Sequence, residues 1–202
     1  MIWVAEIGSN HKGIPALAHE MIRKAAWAGA TVAKFQLGHD PKDPIRYIDD
    51  FAPDLKRWCD HYNITFGASI WSYEGIRVAE DVGLRWWKVA YQQYKDNKWV
   101  DRILEEPGDH FISGRNIYVQ SEYPTYPQDF ILPSSFTDWY GYSSHVPGYA
   151  DALIAVARGA KYIEKHVTLD KTEESIRDNH FALDFDEFRD MVDIGKEIAR
   201  LV

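Results

Sequence analysis

Short apolar runs alternate with helix-patterned stretches along nearly the whole chain, and this alternation limits the fold more than any other feature. The runs "IWVAEIG" (2–8), "TVAKFQL" (31–37), "ITFGASI" (64–70) and "RWWKVAY" (85–91) are short and almost continuously apolar. Such runs read as strands buried on both faces, the habit of parallel sheets. Between the first two, Ala18, Met21, Ile22, Ala25 and Ala26 recur at helical spacing, and Gly29 closes the segment as a C-terminal cap. Further helices are predicted near 52–62, near 73–83 with Gly83 as the stop, and near 97–105.

The second half continues the pattern. "HFISG" (110–114), "IYVQS" (117–121), "WYGYSS" (139–144) and "KYIEKHVTL" (161–169) read as strands. A helix with Ala150, Leu153, Ile154 and Ala157 on one face follows the third of these. A last helix over 185–200 carries Phe188, Met191, Val192, Gly195 and Ala199, with Asp184 and Glu187 spaced as a capping box. Eight strands, most of them followed by helices, fit a (β/α)₈ TIM barrel spanning 1–202 as a single domain. The chain is shorter than the usual ~250 residues of that fold. One junction departs from it: only Arg115 and Asn116 separate "HFISG" from "IYVQS", whereas a parallel crossover needs about a dozen residues. Either the fifth unit has lost its helix, leaving the barrel irregular there, or one run is not a barrel strand.

Composition narrows the partners. A net charge of −8 argues against nucleic acid and anionic membranes, though a locally basic pocket for a small anion stays compatible with it. Cys59 is the single cysteine, which points to a reducing compartment. "MIWVAEIGSN" lacks the marks of a signal peptide, and no run approaches a membrane span. A soluble, cytoplasmic protein is the reading. The eight tryptophans read as core and barrel packing.

In a TIM barrel, chemistry sits where strands end and the βα loops converge. Glu6 lies near the end of the first strand, Lys34 and Gln36 share a face of the second, and Lys88 interrupts the fourth. Ser143 and His145 share a face at the seventh, as do Glu164 and His166 at the eighth. Strands seven, eight and one would be consecutive around the barrel, so His145, His166 and Glu6 could meet at one rim, with both lysines across the mouth. The histidines suit paired metal ligands on adjacent strands; hydrogen-bonded polar residues are the plainer alternative. Two lysines within apolar strands favour an anion pocket over outward snorkelling. "GSNHKG" (8–13) lacks the spacing of a phosphate-binding P-loop.

These residues fall in blocks that resemble the N-acetylneuraminate (sialic acid) synthase family. The blocks are "AEIGSNHKG" (5–13), "AGATVAKFQ" (28–36), "KVA" (88–90), "SEYPTYP" (121–127), "GYSSH" (141–145), "GAKYIEKHVTLD" (159–170) and "DNHFALDFDEFRDMV" (178–192), in family order. The resemblance implies a TIM barrel condensing phosphoenolpyruvate with an aldose such as N-acetylmannosamine, giving a sialic or related nonulosonic acid plus phosphate. It implies a divalent ion, Mn2+ or Mg2+, on His145 and His166, and a glutamate, Glu6, beside the reacting carbons. Lys34, Lys88, Ser121 and Ser143 match positions that hold the phosphate and carboxylate. Gln36, Tyr123 and Asp178 match the site wall or sugar contacts, and Asp178 joins Glu6, Lys34 and Lys88 in the catalytic set. Ser113 stands in a reduced form of the family's Ser-Thr-Gly block. A homodimer also lies within what the resemblance implies.

The departures from the pattern are specific. Ser144 replaces an aspartate expected to support the metal ligands from behind. Tyr91 replaces a phosphate-binding serine, and Asn179 replaces the histidine of an Asp-His pair. The loop after the second strand is short, and the family's C-terminal antifreeze-like domain, which contacts the sugar, has no counterpart in these residues. The competing reading is therefore a non-catalytic barrel kept for binding a ligand or partner.

Overall fold

The computed structural model describes residues 1–38, 44–96, 100–120, 125–176 and 178–202. Eight strands form one sheet in the order β5-β4-β3-β2-β1-β8-β7-β6, and every laddered pair is parallel. The strands are β1 (Ile2–Gly8), β2 (Val32–Leu37), β3 (Thr65–Ile70), β4 (Trp86–Val89), β5 (Asp109–Ile112), β6 (Ile117–Val119), β7 (Gly141–Ser144) and β8 (Tyr162–His166). The helices are α1 (Pro15–Trp27), α2 (Ala52–His61), α3 (Tyr73–Asp81), α4 (Tyr91–Asp96), α5 (Val100–Leu104), α6 (Ala150–Ala157) and α7 (Phe185–Ile198). This is the expected TIM-type barrel, nearly closed.

Strand alternation divides the packing into two cores. Outward residues such as Ala5, Ile7, Ala33, Phe35, Leu37, Trp87 and Ile163 pack against the helices. Inward residues Val4, Val32, Trp86, Phe111, Ile117 and Tyr162 fill the bottom of the barrel. The two largest rings, Trp86 and Tyr162, stack at 6.0 Å with 10° between their planes. Glycines on neighbouring strands make room for them. A Cβ at Gly67 would lie 2.5 Å from the Trp86 ring, and one at Gly141 would lie 2.4 Å from the Tyr162 Cβ. One step higher along the strands the lining turns polar, and that step places the site.

The irregular fifth unit is present. A turn over residues 113–116 takes the place of a helix between β5 and β6. The seam there is closed by a single parallel bridge, Ser113 to Ile117, and by the Gly114 amide donating to the Ile117 carbonyl at 2.8 Å. Asn116 stitches the turn to β5, accepting from the Ile112 amide (2.6 Å) and donating to the His110 carbonyl (3.0 Å). Gly114 sits at φ +85°, with the Tyr91 ring 2.9 Å from where a Cβ would stand, so a larger residue is excluded on both counts.

Other differences from the sequence expectation are local. The helix predicted near 97–105 is α5, and α4 precedes it, starting at Tyr91, because β4 ends earlier than the apolar run does. Between β6 and β7, only a 3-10 turn at Pro127–Asp129 occurs among the described residues. The capping box forms as predicted: Asp184 accepts from the Glu187 amide (2.8 Å), and Glu187 accepts from the Asp184 amide (3.0 Å). The expectation that the tryptophans are core needs correction. Trp3, Trp86 and Trp87 are buried, but Trp27 is 48% exposed, its ring covered on one face by the Arg189 guanidinium at 4.6 Å. Among the described residues, no helix is long and apolar enough to cross a membrane.

Candidate active site

Two residues above the inner apolar layer, the strands present Glu6, Lys34, Ser69, Lys88, Ser143 and Glu164, all buried. The alternation of side chains along a strand puts them there: Val4 and Glu6, Val32 and Lys34, Trp86 and Lys88, Tyr162 and Glu164 each lie two apart. Ladder register then levels them, with Glu6 opposite Lys34 on one side and opposite His166 on the other, and Ser143 opposite Glu164.

The charges form one cluster. The Lys34 ammonium lies 2.9 Å from Glu6 Oε2 and 3.3 Å from Glu164 Oε1, and donates to Ser69 Oγ at 2.9 Å. Lys88 donates to Ser113 Oγ at 2.7 Å and stands 3.7 Å from Glu164 Oε2. Glu164 also accepts from Ser143 Oγ (2.8 Å) and from the Tyr162 hydroxyl. Gln36 Nε2 donates to Glu6 Oε1 at 3.2 Å.

Burial acts differently on each acid. It raises the carboxyl of Glu164, but the Lys34 and Lys88 charges and the donated hydroxyls outweigh it, so Glu164 is held ionised well below the usual range. Glu6 has fewer partners. Burial pushes it up to about 7, against the pull of Lys34 and with the help of the Glu164 charge. Burial lowers Lys34, but the carboxylates of Glu164 and Glu6 reverse that and raise it. Lys88 is brought down to about 8, chiefly by burial, with Glu164 opposing. The site therefore holds a firm anion, a firm cation, and two groups that exchange protons near neutrality.

Above this cluster stand the histidines, their ring centroids 5.7 Å apart. His145 Nδ1 lies 3.2 Å from the Gln120 carbonyl; a carbonyl only accepts, so Nδ1 carries the proton and Nε2 the lone pair. Burial lowers His145 to about 4 and His166 well below its ordinary value, so both rings are neutral at pH 7. His166 Nδ1 is buried without a hydrogen-bond partner, 3.8 Å from Asp178 Oδ2. The segment after β8 folds back to bring Asp178 there. The Leu183 amide donates to the His166 carbonyl (2.9 Å), and Asn179 Nδ2 ties the loop to the carbonyls of Asp170 (2.7 Å) and Glu173 (2.8 Å). The Phe181 ring stands steeply inclined to both imidazoles, 5.6 Å from His145 and 5.0 Å from His166.

Two buried, neutral imidazoles, one with an unpartnered nitrogen, are a fit half-set for a borderline divalent ion. Among the described residues, no three His, Cys, Asp or Glu side chains form a ligand group.

The structure thus brings Glu6, Lys34, Gln36, Lys88, Ser113, Ser143, His145, His166 and Asp178 around one mouth. Ser121 and Tyr123 lie outside the described residues. Two participants were given no role from sequence. Glu164, noted there only for sharing a strand face with His166, is the hub of the cluster. The signal for Ser69 was its place as a polar residue within the otherwise apolar run "ITFGASI". Ser144, at the position where the resemblance expects a carboxylate, donates from its Oγ to Asp151 Oδ2 at 2.5 Å.

Comparison with known proteins agrees with the family resemblance. Residues 117–202 match the NeuB family. Human N-acetylneuraminate-9-phosphate synthase is 26% identical across 84% of this chain, which spans 62% of the human protein's length. Pseudaminic acid synthase of Campylobacter jejuni is 28% identical, across 96% of this chain and 72% of its own. The crystal structure of N-acetylneuraminic acid synthetase from Leptospira borgpetersenii superposes with a TM-score of 0.90 at 24% identity, covering 99% of this chain and 84% of that one, which fixes the fold.

Proposed function

We propose that this NeuB-type barrel condenses phosphoenolpyruvate with an aldose to give a 2-keto sugar acid and inorganic phosphate. The observation that carries the proposal is the buried cluster of Lys34, Lys88, Glu6 and Glu164 directly beneath two neutral histidines. Named synthases of sialic and pseudaminic acids among the relatives support the reaction class.

Each residue has a task in this reading. Lys88 and Lys34, with Ser69, Ser113 and Ser143, receive the phosphate and carboxylate oxygens through charge-assisted hydrogen bonds. An incoming dianion competes with Glu164 for the lysines, so ligand binding and ionic rearrangement are one event. The enol carbon attacks the aldehyde carbon, and the aldehyde oxygen takes a proton. Glu6, whose proton is held to about pH 7, is placed to exchange it with the reacting centre. Water then adds to the cationic carbon, and the C–O bond to phosphate breaks. His145 and His166 would hold a divalent ion that supplies Lewis-acid polarisation of the aldehyde oxygen. Asp178 orients His166.

The test is to incubate the protein with phosphoenolpyruvate, Mn2+ and a panel of aldoses, following phosphate release and 2-keto acid formation. Sugar-dependent release that disappears in Glu6→Gln and His166→Ala establishes the reaction. Phosphoenolpyruvate binding without turnover on any sugar overturns it in favour of a binding barrel.

A further inference from the structure

Behind the barrel wall, on the face turned away from the site, lies a second buried polar cluster. Lys165 stands between Glu164 and His166 in β8, so alternation turns it outward, where it is fully buried against α6. Its ammonium donates to Ser144 Oγ at 2.9 Å and to the Val146 carbonyl at 2.5 Å. Those two residues flank His145. On the far side, Asp151, in the first turn of α6, accepts from the Tyr142 hydroxyl at 2.9 Å and from Ser144 Oγ at 2.5 Å. Its other oxygen, Oδ1, has no hydrogen-bond partner and lies 4.0 Å from Lys165 Nζ.

We propose that Lys165 is a positioning residue for the histidine pair: it grips the chain on both sides of His145, its own backbone leads into His166, and Asp151 is the carboxylate that anchors it. The proposal rests on reading the two histidines as a ligand-bearing pair. Stability alone does not explain a lysine here, since buried ion pairs are often no better than apolar packing of similar volume. What the ammonium adds is direction. Two of its three donors fix atoms one residue before and one residue after the same imidazole, so the β7 terminus cannot rotate without breaking both bonds. The register of β7 on β8, with Ser144 opposite Lys165, carries that restraint across to His166. Ser144, which the sequence pattern marks as a lost carboxylate, is instead the relay between Lys165 and Asp151. A carboxylate at either 144 or 151 can serve the same ammonium, and this chain places it at 151.

The test uses the full chain and Mn2+ alone as the probe. Lys165→Met, Asp151→Asn and the double variant Asp151→Asn with Ser144→Asp are compared with wild type. Circular dichroism checks the fold, calorimetry gives Mn2+ affinity, and 1H–15N spectra of the imidazoles, taken without metal, report the ring environments. Folded Lys165→Met loses ~10–100-fold in Mn2+ affinity, the range for residues that support metal ligands from behind. Its His145 and His166 ring signals shift while that of the remote His19 does not. Asp151→Asn weakens binding, and Ser144→Asp restores it to within about threefold of wild type. A folded Lys165→Met with unchanged ring signals overturns the proposal. If Lys165→Met does not fold, failure of Ser144→Asp to rescue a folded Asp151→Asn does so. If wild type binds no Mn2+, the ligand reading of the histidines fails by itself, and the ring signals still decide whether Lys165 positions them.

Discussion

Glu6 and Lys34 are register partners on adjacent strands, and their charged ends meet at 2.9 Å inside the barrel. The pair is lopsided. Lys34 answers to two carboxylates, whereas burial outweighs the pull of Lys34 and the Gln36 amide on Glu6, so a proton returns to Glu6 near neutral pH.

That proton links stability to pH. In the folded barrel Glu6 keeps it up to about pH 7, while in the unfolded chain the carboxyl ionises near 4.5. The stability this supplies is complete below about pH 4.5 and is lost as pH rises to about 7. Glu6→Gln stays neutral throughout, so its stability relative to wild type rises across that window, by up to ~3 kcal/mol. Urea unfolding of both proteins at pH 4.5 and pH 8 measures the change; a constant difference contradicts it.

Glu164 is the anion on which both lysines depend. Glu164→Gln leaves two buried ammonium groups with no ionised partner but Glu6, at a cost of about 3–5 kcal/mol. Part of the loss is recovered as Glu6 surrenders its proton to take over the pairing. Denaturant unfolding at pH 7 reads the loss, and a variant within 1 kcal/mol of wild type would show that water reaches the cluster.

Lys88 faces the mouth with one serine and one distant carboxylate as partners. Lys88→Met should weaken phosphoenolpyruvate binding by about 10–100-fold, the worth of one or two charge-assisted hydrogen bonds. Calorimetry on the folded variant checks this. Equal affinity would remove Lys88 from the anion pocket.

Gly195 sits within α7, where alanine would raise helix propensity by about 1 kcal/mol. Its Cβ would nevertheless lie 2.3 Å from Cη2 of the buried Trp3 ring. Overpacking of this kind costs about 1–3 kcal/mol and wins, so Gly195→Ala lowers the melting temperature. A higher melting temperature would mean that the Trp3 ring gives way.

Much of this was legible in the chain itself. Buried parallel strands leave continuous apolar runs, so all eight were recognisable, and a charged residue inside such a run, as with Lys34 and Lys88, marks an inward polar position. His145 and His166 were legible for the same reason, as polar ends of apolar runs. Glu164 was harder. In "IEKH" the alternation sends Glu164 and His166 inward and Lys165 outward, but the run alone does not say that both faces are dry. The bond from Ser144 to Asp151 was not legible, because that partner is seven residues away on a helix. The position of Asp178 depends on how Asn179 knots a loop, which no periodicity encodes.

The ladder between β1 and β8 has a consequence for how the molecule comes into being. It joins Glu6 to His166 and Val4 to Glu164 across nearly the full length of the chain. Contacts so distant in sequence carry the largest loop-closure cost. Lys34 and Glu6 come from one end of the polypeptide, and Glu164 and His166 from the other. Until β1 and β8 pair, Glu164 and His166 cannot meet the Glu6–Lys34 pair. The site is thus made in one step, at the moment the barrel is.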